Sequence, residues 1–232
     1  MKLASLKQGG RDGTLVVVSK DLQRAVPVPS IAPTLQRALE DWQNAAPRLN
    51  RVYEALNHGN VQTIDAEDVI TLDMTALAAP LPRAYEFVDG SAYLPHVARV
   101  RKARGAEVPE SFYTDPLMYQ AVSAGFYGPR DPVLVPSEAF GIDLEAEVVV
   151  VTDDVPMAVN PEQAAGHIQL IGLVNDVSLR NLTYRCVTSF PMSWPRASAS
   201  CNRNRVRRSA RCSSPLTSSA MPGWTAKCIW PC

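Results

Sequence analysis

Gly141-Ile142-Asp143-Leu144-Glu145-Ala146-Glu147-Val148-Val149-Val150-Val151 is the stretch on which the fold of this chain turns. Side chains along a strand alternate between faces, so Asp143, Glu145 and Glu147 project together while Leu144, Ala146, Val148 and Val150 form the opposite, apolar face. Carboxylates stacked side by side repel one another. An acidic face carried into a hydrophobic core therefore calls for a cation between the carboxylates.

Around this strand the chain has the means to build a core. It has 232 residues, 46% of them hydrophobic, enough for one large domain or two small ones and unlike a disordered composition. There is no charged n-region followed by an apolar stretch, and no apolar run long enough to cross a bilayer, so the expectation is a soluble cytoplasmic protein with no membrane partner. The formal net charge of zero hides a strong asymmetry. Residues 1–182 hold 15 Lys and Arg against 23 Asp and Glu, and residues 183–232 hold eight Lys and Arg with no acid, giving −8 and +8. All five cysteines, Cys186, Cys201, Cys212, Cys228 and Cys232, lie in the basic segment.

Upstream of the strand, Leu3–Leu6 and Thr14–Ser19 read as a hairpin around the turn Gly9-Gly10-Arg11-Asp12-Gly13. From Thr34, the spacing of Leu35, Leu39 and Trp42, then Leu49, Val52, Tyr53 and Leu56, predicts helix, with Pro47 interrupting it or starting a second one. Two prolines make Leu77-Ala78-Ala79-Pro80-Leu81-Pro82 an extended linker and a domain boundary. A helix is expected over Ser91–Arg104 and a short one over Pro161–His167. Ile168–Val174 then reads as a buried strand leading into Asn175-Asp176-Val177-Ser178-Leu179-Arg180.

Three pieces line up in order: Tyr113-Thr114-Asp115-Pro116, the Asp143-x-Glu145-x-Glu147 strand, and Asn175-Asp176-Val177-Ser178-x-Arg180. Together they resemble the fumarylacetoacetate hydrolase family over residues 83–182, and residues 1–80 resemble the small N-terminal domain of its bacterial members. The expected fold class is α+β and mostly β: a small N-terminal β/helix domain (1–80), an incomplete catalytic β-roll (81–182) and an atypical basic tail (183–232).

The resemblance implies that Asp115, Glu145, Glu147 and Asp176 hold one divalent cation, Mg²⁺ by the hardness of its ligands, with Mn²⁺ and Ca²⁺ as alternatives. It also implies that Arg180 and Tyr93 face the substrate, with Arg180 toward its carboxylate. Cleaving a carbon–carbon bond between carbonyl groups expels a carbanion equivalent, and a cation beside the diketone oxygens stabilises the resulting enolate. Smaller relatives place a base in a Gly-Arg-Asn-Tyr-x-x-His-x-x-Glu segment. Here the corresponding stretch is Gly90-Ser91-Ala92-Tyr93-Leu94-Pro95-His96-Val97-Ala98-Arg99, which keeps His96 as the catalytic candidate but replaces its acidic partner by Arg99. In larger relatives the histidine follows the first metal aspartate by seven residues, and counting from Asp115 that position is Val122.

The implied reaction is hydrolysis of a β-diketone acid, fumarylacetoacetate to fumarate and acetoacetate in tyrosine breakdown, by a homodimer whose partner is a small diketo acid and not nucleic acid. An acylpyruvate hydrolase or a 2-keto acid hydratase or decarboxylase uses the same kind of site. Outside the enzyme class stand a non-functional product and a basic-tailed binding protein. His58 and His167 match no motif and read as surface residues.

The basic tail fits no zinc pattern, since only Cys228 and Cys232 are close and no His follows His167. The genetic code offers a different origin. Joining the last base of each codon to the first two of the next, Thr183 to Phe190 can be decoded as Val-Ser-Leu-Arg-Asn-Leu-Ile, repeating Val177 to Leu182. The same shift lets Ser200 to Asn204 read Leu-Gln-Ser-Lys, a family-like string. A short tandem duplication that puts the remainder out of frame accounts for both. Such a peptide carries neither strand nor helix periodicity and is expected to pack poorly.

Overall fold

The computed structural model describes residues 1–59, 68–103, 105–115, 118–123 and 125–181 in full, and 227–231 in backbone alone. The expectations for the rest of the basic tail lie outside the described residues.

The N-terminal part is a sheet of β1 (Lys2–Leu6), β2 (Thr14–Val18), β3 (Arg24–Pro27) and β4 (Ile70–Thr71), in the order β1-β2-β3-β4 and antiparallel throughout. The unbroken apolar run Leu15–Val18 of β2, with Leu3, Ala4 and Leu6 of β1, allows both faces to be covered. Leu3, Leu15, Val17, Val26 and Val28 meet helices α1 (Leu35–Glu40) and α2 (Trp42–His58), while Ala4, Leu6, Val16, Val18 and Ala25 pack with Leu77 on the other face.

The helix break falls at Asp41, not at the expected Pro47. The buried stripe Ala45, Leu49, Val52 and Leu56 continues across Pro47, and its burial outweighs one missing backbone hydrogen bond. The stretch from Leu77 to Pro82 is extended as expected, yet it is packed: Leu77, Ala79 and Leu81 are buried and Leu77 bridges Leu6.

Several contacts tie this part to the C-terminal portion of the chain. Arg83 forks onto Asp12 with two bonds of 2.7 Å, the Tyr85 hydroxyl donates to Glu40 at 2.7 Å, and Lys7 pairs with Asp131. Next come β5 (Val88–Gly90), α3 (Leu94–Ala103) and β6 (Met118–Gln120), with β5 and β6 paired.

The acidic strand is not continuous. Gly141, at φ +69°, turns the chain out of a short 3-10 helix, and β7 (Ile142–Asp143) separates from β8 (Ala146–Thr152) at Leu144 and Glu145. After α4 (Pro161–Gly166), β9 (Ile168–Asp176) pairs with β8, and β10 (Ser178–Leu179) pairs with β7.

The ribbon turns its acidic face inward and leaves the apolar face of Val148 and Val150 outward. Glu145, Glu147, Val149 and Val151 lie on the inner face, and Val151 and Leu170 pack on the N-terminal core. Val148 and its cross-strand partner Leu173 are 70% and 49% exposed, and Val150 and its partner Ile171 are 45% and 58% exposed. Strand β9 is therefore covered on one face only, not buried throughout. Docking decides the side, because the face that continues as Val149 and Val151 fits the core of the N-terminal part.

The tail also departs from expectation at one point, where β11 (Lys227–Pro231) pairs antiparallel with β9 from Lys227↔Asp176 to Pro231↔Gly172. An open strand edge offers N–H and C=O groups that an extended segment can bond irrespective of its side chains.

Candidate functional site

The β8–β9 register places the acids. Ala146 faces Asn175, Glu147 faces Val174, and the Asp176 N–H donates to the Glu145 carbonyl at 2.9 Å. Val174 and Asp176 share a face, so Glu145, Glu147 and Asp176 all point inward from one end of the ribbon.

Asp89 of β5 joins Glu147 and Asp176 there. One carboxylate oxygen from each of the three lies within 4.8 Å of the others, and no other group of three or more metal-ligating side chains is this close among the described residues. Asp176 is 1% exposed. Three anionic carboxylates at this spacing, one of them buried, repel unless a positive charge is shared among them. Their hard oxygens fit a divalent cation of the Mg²⁺, Mn²⁺ or Ca²⁺ kind.

Glu145 has a different set of neighbours. It is buried, accepts from the Ser178 hydroxyl at 3.2 Å, pairs with the Arg180 guanidinium, and lies 3.1 Å from Nε2 of His96. The acidic partner that Arg99 fails to supply on the helix of His96 is thus provided by Glu145, at the break between β7 and β8. Arg180 also donates from Nε to Asp143 at 2.8 Å, and its backbone N–H is held by the Gly141 carbonyl at 2.8 Å. Burial disfavours the charge on Arg180, but hydrogen bonds and attraction from Asp143 and Glu145 outweigh it and raise its pKa. The Arg180 hydrogen bond in turn holds the Asp143 carboxyl below its ordinary value.

Among the residues anticipated from sequence, the structure brings Glu147 and Asp176 into the acidic group, and it sets Glu145, His96 and Arg180 together beside Asp143. Asp115 is exposed after the 3-10 helix Glu110–Tyr113 and accepts from the Thr114 hydroxyl at 3.2 Å. It does not belong to the acidic group. Tyr93 is exposed just before α3, with its carbonyl accepting from the N–H groups of His96 and Val97.

Sequence reasoning misses Asp89, although a signal for it exists: it stands seven residues before His96, the spacing described for larger relatives. Ser178 enters that reasoning only as part of a motif. Of the other histidines, His58 is exposed and pairs weakly with Glu54 at 3.7 Å. His167 bonds Asp153 at 2.5 Å, away from the acidic group.

Comparison with known proteins finds two family models along the chain, the second reaching into the basic tail. Residues 1–83 match the family model for the fumarylacetoacetase N-terminal domain 2, and residues 86–204 match that for the fumarylacetoacetate hydrolase C-terminal domain. A candidate HpcE protein from Mycobacterium smegmatis superposes with a TM-score of 0.55 at 18% identity, covering 83% of this chain and 59% of its own. The fumarylacetoacetate hydrolase of the psychrophile Exiguobacterium antarcticum gives 0.50 at 18% identity, covering 82% and 60%. This chain thus spans about six tenths of the length of these solved structures. Comparison with curated proteins gives no match. No helix among the described residues is long and apolar enough to cross a membrane. With both of its domain models matched in order along a mixed, mostly β fold, the chain belongs to the fumarylacetoacetate hydrolase family.

Proposed function

We propose that this fold serves metal-dependent hydrolysis of a carbon–carbon bond in a β-diketone acid, with fumarylacetoacetate as substrate and fumarate and acetoacetate as products. The observation that carries the proposal is the gathering of Asp89, Glu147 and Asp176 within 4.8 Å, next to the Glu145–His96 contact of 3.1 Å. Asp89, Glu147 and Asp176 would hold the cation, which supplies positive charge opposite the developing enolate.

The protein's own groups do the rest. A proton on Nε2 of His96 facing Glu145 would leave the lone pair on Nδ1 to take the proton of an attacking water. Water oxygen bonds to the carbonyl carbon, the carbon–carbon bond breaks with its electron pair leaving as the enolate, and the proton returns to that carbon. Arg180, anchored by Asp143 and Glu145, offers its remaining donor capacity to the substrate carboxylate. Our reading extends to a homodimer, as the resemblance implies, in the cytoplasm.

The test is turnover of fumarylacetoacetate by the purified chain with added Mg²⁺ or Mn²⁺, followed by loss of diketone absorbance and repeated with chelator. Expected are metal-dependent, chelator-sensitive turnover and a divalent-ion thermal shift that is lost when Glu145 and Glu147 are both changed to Ala. Absence of turnover together with a thermal shift that survives the double substitution overturns the proposal.

A further inference from the structure

Tyr119 stands outside the acidic group but in contact with one of its members. Strands β5 and β6 are antiparallel, and their register sets Tyr119 directly opposite Asp89, with Val88 and Gly90 facing Gln120 and Met118. Directly opposed residues project on the same side, and the Tyr119 hydroxyl meets Oδ2 of Asp89. Both residues are half-buried.

An ionised carboxylate only accepts, and a phenol is the neutral donor that can fix one of its oxygens without bringing charge. The hydroxyl thus fixes one oxygen of the carboxylate that Asp89 brings to the group with Glu147 and Asp176. A neutral donor also draws electron density away from one of three crowded anions, which eases their repulsion before any cation arrives.

We propose that Tyr119 is a positioning residue that orients the Asp89 carboxylate for divalent-cation binding, and that it thereby sets the cation affinity of the site. This rests on the reading of Asp89, Glu147 and Asp176 as cation ligands. Hydrogen bonds to metal-ligating carboxylates typically change affinity by about 10–100-fold when removed. Because the hydroxyl reports directly on the charge of Asp89, its near-ultraviolet absorbance should shift when a cation withdraws that charge.

The experiment titrates the full chain with Mn²⁺ in a calorimeter and in a difference spectrophotometer, for wild type, Tyr119→Phe, Asp89→Asn and the double variant, with Tyr113→Phe as a control. Expected are a roughly 10–100-fold weaker Mn²⁺ affinity for Tyr119→Phe and loss of the tyrosine difference band. Tyr113→Phe should change neither. In the Asp89→Asn background, the Tyr119 substitution should add no further loss, which a general effect on folding would not produce. A wild-type protein that takes up no Mn²⁺ overturns the metal reading itself. Normal uptake that Tyr119→Phe leaves unchanged, or losses that simply add in the double variant, overturn the role of Tyr119 alone.

Discussion

Asp89 and Asp115 separate two ways of recognising the same kind of site. Counting seven residues forward from Asp115 lands on Val122, whereas counting the same distance back from His96 lands on Asp89, which the fold places with Glu147 and Asp176. Asp89→Ala should lower the affinity for Mn²⁺ at least about tenfold in a calorimetric titration, and Asp115→Ala should leave it unchanged. Glu145, Glu147, Asp176, His96 and Arg180 are legible in the sequence because strand alternation and motif spacing act locally. The Glu145–His96 contact is not, because 49 positions separate the two residues and only the packing of α3 beside the ribbon joins them.

Asp143 carries a pH dependence whose sign is set by the same geometry. Its hydrogen bond from Arg180 lowers its pKa in the folded chain, so the stabilisation is fully present above the ordinary carboxylate range and is lost as pH falls through the lowered value. Thermal melting on going from neutral to about pH 3 should show a larger fall in the wild type than in Asp143→Asn.

The elements divide by how much of their fate is local. The hairpin of β1 and β2 and the helices α1 and α2 arise from turn residues, the Thr34 cap and a 3.6-residue stripe, all readable in order along the chain. Leu49 sits at the centre of that stripe with no exposed surface, and Leu49→Ala should cost about 2–5 kcal/mol in a denaturant melt. The inward face of β8 is less legible. Beyond Glu147 both faces are valine, and alternation alone does not say which set meets the core. The N-terminal part decides this through Val151 and Leu170. The break between β7 and β8 is hidden from the sequence for a related reason: β7 answers to β10, and β8 to β9, so the split is set by pairing partners that lie beyond α4 in the chain.

For the molecule as a whole, the clamp of Arg83 on Asp12 and the shared core join the two family domains, while the solved relatives are longer than this chain. The absence of acidic residues after Leu182 is what the expected out-of-frame duplication would produce. Nucleotide sequencing of the gene should show a short tandem repeat, of a length not divisible by three, across codons 176–189. A gene without that repeat removes this account and leaves the basic tail as a selected sequence. The outward valines of the ribbon have a consequence at the bench. Sulfate and similar salts are excluded from protein surfaces and strengthen apolar contact, and a chain of zero formal charge has little long-range repulsion to hold its copies apart. Val148, Val150, Ile171 and Leu173 should then be where copies first meet as sulfate is raised, which light scattering during salting out would check.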